Sequence, residues 1–114
     1  MTQINITVFP NAEAWLKENL EYMATDNIAA VYPTNVDADK IEATYFDEEE
    51  GLEKSVGKER HVEMLAELVR LISEEKLFVG GIKNPMDLTD TGNWDVEVAD
   101  AYFQLLYHGE VIYG

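Results

Sequence analysis

The segment from about residue 58 to residue 76 constrains the fold most strongly, because its apolar side chains recur with the period of an α-helix. The apolar positions form one stripe, made of Val62, Leu65, Ala66, Leu68, Val69 and Ile72. The charged positions fall on the opposite side and are Glu59, Glu63, Glu67, Arg70 and Glu74. A helix of this kind is stable when its stripe is buried against another layer. The sequence therefore predicts a layered domain that contains this helix.

Two further helices are predicted, one near each end of the chain. Asn11 is placed to cap a first helix that extends to about residue 23. Asn93 is placed to cap a last helix over residues 94–107, and His108-Gly109 is a typical C-terminal stop. Apolar residues spread around much of the last helix. This distribution predicts burial between core layers, with a dimer or partner surface as the alternative.

Short strands are predicted where apolar or alternating residues carry β-branched and aromatic side chains, over residues 4–8, 28–32, 40–46 and 111–113. Pro33 is expected to close the second strand, since proline has no donor for a sheet, and residues 34–39 are predicted as a polar connection. A helix beginning at Asp37 or Asp39 competes with the third strand. Gly80-Gly81 predicts either a hairpin turn or a bend out of the helix.

These elements predict one α+β domain over residues 1–114, with a small, mostly antiparallel sheet of about four short strands packed with three helices. The chain has no cysteine, which excludes disulfides, zinc–thiolate sites and thiol nucleophiles. The first 15 residues do not have the pattern of a signal peptide, and no apolar run approaches the length of a membrane span. A cytoplasmic protein is expected.

Acidic residues outnumber basic ones by 23 to 8, which gives a net charge of −15. Direct binding to nucleic acid or to an anionic membrane is therefore not expected, because like charges repel. The excess is uneven. Residues 18–53 contain eleven acidic residues and one base, Lys40, whereas the helix over residues 58–76 mixes both signs. Residues 77–114 contain six acidic residues and one base, Lys83.

This distribution is consistent with two interpretations. In the first, the acidic residues are solvated loops and helix ends, and their charge serves only solubility. In the second, they form an acidic surface that binds a basic protein partner, with Tyr45 and Phe46 adding apolar contact. The candidate partner-binding residues are Asp37, Asp39, Glu42, Tyr45, Asp47, Glu48, Glu49, Glu50, Glu53, Asp87, Asp90 and Asp95.

In charge and size, the chain resembles the phage- and plasmid-encoded inhibitors that imitate DNA. The resemblance implies a non-enzymatic protein that occupies the positively charged groove of a nucleic-acid-binding protein. The alternative is a small structural or interaction module that forms a homodimer through the last helix and the terminal strand. These two hypotheses differ in the salt dependence that they predict.

No catalytic, cofactor or metal site is predicted. His61 and His108 do not have the spacing of a two-histidine zinc motif, and Gly80-Gly81 lacks the lysine of a phosphate loop. His61 is expected at the surface beside glutamates, and His108 is expected to interact favourably with a helix C-terminus. The one alternative metal site is a set of oxygen donors for a hard cation, formed by Asp87, Asp90, Asn93, Asp95 and Glu97.

Overall fold

The computed structural model describes residues 8–23 and 30–113, and they form an α+β fold of three helices and a three-stranded antiparallel sheet. The predicted fold class is confirmed, with three strands rather than four. The strands follow one another in the order β1 (Val31–Asp37), β2 (Glu42–Asp47) and β3 (Leu52–Val56). The helices are α1 (Ala12–Met23), α2 (Lys58–Ser73) and α3 (Val96–His108).

The middle strand, β2, confirms the strand predicted over residues 40–46, and the competing helix does not form. Its neighbour β3 was not predicted. All of its residues except Val56 are exposed, so the segment lacks the apolar alternation by which a strand is recognised. Its strand conformation comes from pairing with β2, in which Ala43 lies opposite Val56 and Asp47 lies opposite Leu52.

Pro33 does not close β1, contrary to the prediction. The strand continues through residues 34–37, which were predicted as a connection, and its register shifts between Pro33 and Asn35. Two features of β1 accommodate the proline. It is an edge strand of the sheet, and an irregularity in the ladder removes the need for a donor at that position.

The remaining strand predictions have different outcomes. The strand over residues 4–8 lies outside the described residues except for Val8, which is not in a strand. The prediction of a terminal strand over residues 111–113 is wrong, because these residues do not pair with the sheet. The N–H groups of Ile112 and Tyr113 each donate a hydrogen bond to Gln104 Oε1 at 2.8 Å. Residues 77–82 do not form a hairpin. They follow α2 as a segment without regular secondary structure.

Local capping sets the helix ends. The Asn11 side chain accepts from the Ala14 amide at 3.0 Å, as predicted. The N-cap of α3 is Asp95 rather than Asn93, because two short 3-10 helices, Pro85–Thr89 and Thr91–Asn93, occupy the preceding residues. Gly109 ends α3 in the left-handed conformation with φ of 81°, which confirms the predicted stop.

The core lies between the helices and one face of the sheet. Helix α3 contacts α2 and all three strands, and every residue from Ala101 to Tyr107 is buried. This confirms the predicted burial of the last helix between layers. Aromatic rings connect the layers, since Tyr45 of β2 lies 5.3 Å from Phe103 of α3 between ring centroids. The opposite face of the sheet is the one that is not committed to the core.

Candidate functional site

Strand alternation divides the side chains of β2 between two environments. Ala43, Tyr45 and Asp47 are buried on the core side, whereas Glu42 is exposed and Thr44 and Phe46 are half-buried on the other side. The register extends this second side across the sheet. We call it the open sheet face, and it consists of Tyr32, Thr34, Asn35, Asp37, Glu42, Thr44, Phe46, Glu53 and Ser55.

Three of the predicted partner-binding carboxylates meet on the open sheet face. Asp37 lies opposite Glu42 across β1 and β2, and Glu53 lies opposite Phe46 across β2 and β3. The Glu53 carboxylate accepts a hydrogen bond of 3.0 Å from the Thr34 hydroxyl. All three carboxylates belong to exposed residues. This face therefore presents negative charge directly to solvent.

The two strand turns add acidic residues at opposite ends of the face. The β1–β2 turn contains Asp39, and the β2–β3 turn contains Glu48, Glu49 and Glu50. The five residue steps of β2 separate these ends by about 17 Å at 3.3 Å per step. We call Asp39 and residues 48–50 the acidic turns. Together with the face they form an acidic surface that runs the length of the sheet.

One base, Lys40, lies in the β1–β2 turn beside Asp39. Within residues 8–23 and 30–113, no salt bridge to lysine or arginine involves the open sheet face or the acidic turns. Four bases, Lys58, Arg60, Arg70 and Lys76, pair instead with glutamates of the helices and their ends. Lys54 of β3 turns to the core side, where its ammonium lies 4.3 Å from the ring centroid of Tyr107.

An open depression of about 580 Å³ lies at the end of the sheet near the β1–β2 turn, where core-side residues such as Val36, Ala43 and Val56 also line it. Its lining includes Asn35, Asp37, Glu42, Thr44 and Ser55. These groups offer carboxylate oxygens, hydroxyls and an amide, which suit the recognition of cationic and hydrogen-bonding side chains. The aromatic pair of Tyr32 and Phe46 lies on the same face, with ring centroids 5.7 Å apart.

Two predicted partner-binding residues are in the interior. Tyr45 and Asp47 have exposed fractions of 0%, so in this fold neither side chain can contact a partner. The physical reason is the alternation of side chains along β2, which places both residues on the core side with Ala43. The alternation in the sequence contained this signal, but the acidic run that follows Phe46 resembles a loop.

Asp87, Asp90 and Asp95 lie in another part of the fold. Each carboxylate accepts from a backbone amide: Asp87 from Lys83 and Asn84, Asp90 from Gly92, and Asp95 from Val98. The segment that carries Asp87 and Asp90 packs against the helices, and the Trp15 indole donates to the Thr89 carbonyl at 3.0 Å. These three residues therefore cap turns and a helix, and they do not extend the open sheet face.

Asp47 belongs to a second group of polar side chains, beneath the β2–β3 turn. We call Asp47, Glu50, Tyr107, His108 and Tyr113 the Asp47 cluster. Asp47 Oδ2 lies 2.6 Å from His108 Nε2 and accepts from the Tyr113 hydroxyl at 2.8 Å. Asp47 Oδ1 accepts from the amides of Glu49 and Glu50 at 2.7 and 3.1 Å.

These contacts determine the charge state of the Asp47 cluster. Burial acts to raise the pKa of Asp47, but the hydrogen bonds from Tyr113, His108 and two backbone amides outweigh it, so the pKa is lowered. The carboxylate is therefore ionised at neutral pH. Burial, the hydrogen bond to Asp47 and the charges of Asp47, Glu49 and Glu50 raise the pKa of Tyr113 to about 12. His108, expected only to interact with the helix end, holds α3 to β2 through Asp47.

His61 is fully buried, so its predicted surface position is wrong. Its Nδ1 lies 2.8 Å from the Gly57 carbonyl, which can only accept, so Nδ1 carries the proton and Nε2 accepts from the Tyr45 hydroxyl at 2.8 Å. Burial lowers the pKa of His61, although backbone contacts with Gly57 and Ile41 oppose the effect. A sequence signal for this position existed, since residue 61 is in phase with Leu65, Leu68 and Ile72.

Comparison with known proteins finds no matching family model, no similar curated sequence and no similar solved structure. Within the described part of the chain, no helix has both the length and the apolar character needed to cross a bilayer.

Proposed function

We propose that this chain is a non-enzymatic binding protein whose open sheet face and acidic turns engage a basic surface of another protein. One observation carries the proposal. The carboxylates of this surface have no lysine or arginine partner among the described residues, whereas four bases are paired with glutamates in the helical layer. A basic partner would supply the missing positive charge.

The proposal extends to the kind of partner. We assign it to nucleic-acid-binding proteins, in which a groove lined by lysine and arginine receives phosphates. Seven carboxylates lie along about 17 Å of this surface, a linear density that approaches the one negative charge per about 1.7 Å of duplex DNA. Tyr32 and Phe46 would supply apolar contact. The sequence predicts this role for Phe46 and for Tyr45, of which Tyr45 is buried.

The test compares two charge-reversed variants with the wild-type protein. The open-face variant carries Asp37→Lys, Glu42→Lys and Glu53→Lys. The matched control carries Glu18→Lys, Glu21→Lys and Glu110→Lys, which change the net charge equally at exposed positions outside the open sheet face and the acidic turns. Each protein is used to capture partners from the native host, and bound proteins are released with increasing salt and identified by mass spectrometry.

The expected result is a nucleic-acid-binding protein that the wild type and the control capture and that moderate salt releases. The purified partner should then lose duplex DNA from its complex when wild-type protein is added. The open-face variant should neither capture the partner nor displace DNA. Equal capture by the open-face variant and the control would contradict the proposed surface, and unchanged DNA binding would contradict the proposed DNA mimicry.

A second candidate function is a homodimer. Among the described residues no strand pairs with the outer edge of β3, and this edge is a better candidate interface than the last helix. Helix α3 is buried within the chain, but Leu52 of β3 is 60% exposed and the rest of the strand up to Ser55 is also exposed. An exposed edge can pair with a second strand. Light scattering at low and at high salt distinguishes the two, since a strand-paired dimer persists in high salt.

A further inference from the structure

The Asp47 cluster contains two ligand atoms that face each other across a gap. His108 Nδ1 lies 3.8 Å from Glu50 Oε2, which is too long for a hydrogen bond. The opposite atom of each side chain is already held. His108 Nε2 is bonded to Asp47, and Glu50 Oε1 accepts from the Tyr107 hydroxyl at 3.2 Å. The two free atoms are therefore oriented toward each other by their own neighbours.

The tautomer of His108 follows from the hydrogen bonds of Asp47. Asp47 Oδ2 accepts from the Tyr113 hydroxyl and Oδ1 accepts from two backbone amides, so its oxygens act as acceptors and His108 Nε2 carries the proton in the neutral ring. The lone pair of the neutral imidazole is then on Nδ1, the atom that faces Glu50. Metal-binding histidines are commonly held in this way by a carboxylate that is hydrogen-bonded to the other ring nitrogen.

Asp47 itself is an orienting group and not a ligand. A carboxylate offers about four lone-pair positions, and those of Asp47 accept from His108, Tyr113 and the amides of Glu49 and Glu50. Its exposed fraction of 0% also leaves a buried negative charge next to a second carboxylate. Among the described residues, these two carboxylates have no salt bridge to lysine or arginine, and His108 is the one side chain of the cluster that can carry positive charge.

We propose that His108 Nδ1 and Glu50 Oε2 bind a divalent transition-metal ion of the Zn²⁺ type, and that Asp47 orients the histidine. Imidazole and carboxylate ligands together suit Zn²⁺ and its neighbours rather than calcium. With metal–ligand bonds of about 2.1 Å, the observed gap between Nδ1 and Oε2 corresponds to an angle of about 130° at the metal. Shortening the gap by about 0.4 Å would give the tetrahedral angle. Water completes the coordination, since His108 is 10% and Glu50 is 41% exposed.

The metal site shares Glu50 with the acidic turns, but its test measures metal binding to the protein alone and needs no partner. A hard-cation site at Asp87–Glu97 lies in another part of the fold. The carboxylates of Asp87, Asp90 and Asp95 serve backbone amides. In the part of the chain that the structure describes, the one set of three histidine or acidic side chains whose ligand atoms converge within 4.8 Å is Asp47, Glu50 and His108.

The test uses Zn²⁺ and Co²⁺ salts with the purified protein. Zn²⁺ should shift the ring resonances of His108 in NMR spectra and leave those of His61 unchanged, since both His61 nitrogens are hydrogen-bonded in the core. Bound Co²⁺ should give visible absorption bands, and these bands should disappear when added Zn²⁺ displaces the Co²⁺. Glu50→Gln should weaken metal binding about tenfold or more, Asp47→Asn should weaken it about 10- to 100-fold, and His108→Gln should abolish it.

Glu48→Gln is the matched control, because it removes an exposed carboxylate of the same turn and should leave the affinity within about twofold. Glu50→Gln decides the proposal even where the His108 and Asp47 variants do not fold, since the Glu50 side chain is 41% exposed. His108 resonances that do not respond to Zn²⁺ in the wild type would overturn the proposal. Equal affinities of the Glu50→Gln and Glu48→Gln variants would overturn it as well.

Discussion

The Tyr45 hydroxyl and His61 Nε2 lie 2.8 Å apart in the interior and join the middle strand to α2. The bond is part of a longer connection, because the Tyr102 hydroxyl of α3 donates to the His61 carbonyl at 2.8 Å. Both aromatic residues and the histidine are fully buried. The layer that carries the open sheet face is thus attached to both long helices through one histidine.

Tyr45→Phe should destabilise the protein by about 1–3 kcal/mol, because it leaves the buried His61 Nε2 without a donor. The measurement is the free energy of unfolding from urea denaturation. Tyr32→Phe is the control, since Tyr32 is half-buried on the open sheet face, and it should change the free energy by about 0.5 kcal/mol or less. Equal losses in the two variants would show that the buried bond contributes nothing specific.

Stability should fall as the pH decreases below about 6.5, the ordinary pKa of histidine. The folded protein keeps His61 neutral because burial lowers its pKa, whereas the unfolded chain takes up the proton. The loss ends once the pH is below the lowered pKa of the folded state. NMR titration of the His61 ring gives that pKa directly. A value at or above the ordinary one would contradict the burial of this side chain.

Asp47→Asn should destabilise the fold by about 2–4 kcal/mol, because it removes the charge that four donors stabilise. Urea denaturation of the variant and of Glu48→Gln measures the difference, and the exposed Glu48 should show almost none. The pH dependence has a defined sign. Since the folded pKa of Asp47 is lowered, its contribution is complete above the unfolded value of about 4 and is lost as the pH falls below it. A variant as stable as the wild type would contradict the structural role of Asp47.

Gln104→Ala should release the C-terminal segment while the core remains folded. The buried Gln104 accepts from the amides of Ile112 and Tyr113 and donates to Asp100 at 2.8 Å. Hydrogen exchange at these two amides should accelerate, and the amides of α2 should stay protected. Unchanged protection of Ile112 and Tyr113 would show that Gln104 does not hold the segment.

The elements that the sequence predicts well are those whose signals are local. Helix α2 forms where its apolar period predicts it, although Ala66 of the predicted stripe is exposed and Met64 and His61 are buried instead. Asn11 caps α1, and Gly109 ends α3. Each of these signals depends on residues within one or two turns of the chain, so tertiary structure does not change its meaning.

The elements that the sequence does not predict depend on distant neighbours. Strand β3 is polar and forms through pairing with β2, and β1 continues past Pro33 because it lies at the edge of the sheet. Asp47 begins an acidic run, and only the register of β2 with α3 reveals that its carboxylate is buried against His108. The acidic surface was predicted from composition, but the separation of Asp87, Asp90 and Asp95 from it required the fold.

The most direct test of the acidic surface is the affinity for the captured partner, measured by calorimetry at low and at high salt. The wild type and the Glu18, Glu21 and Glu110 control should bind alike at low salt and weaken steeply as salt is added. The variant with lysine at positions 37, 42 and 53 should not bind at either salt concentration. Binding that ignores salt, or wild-type affinity in that variant, would contradict the account.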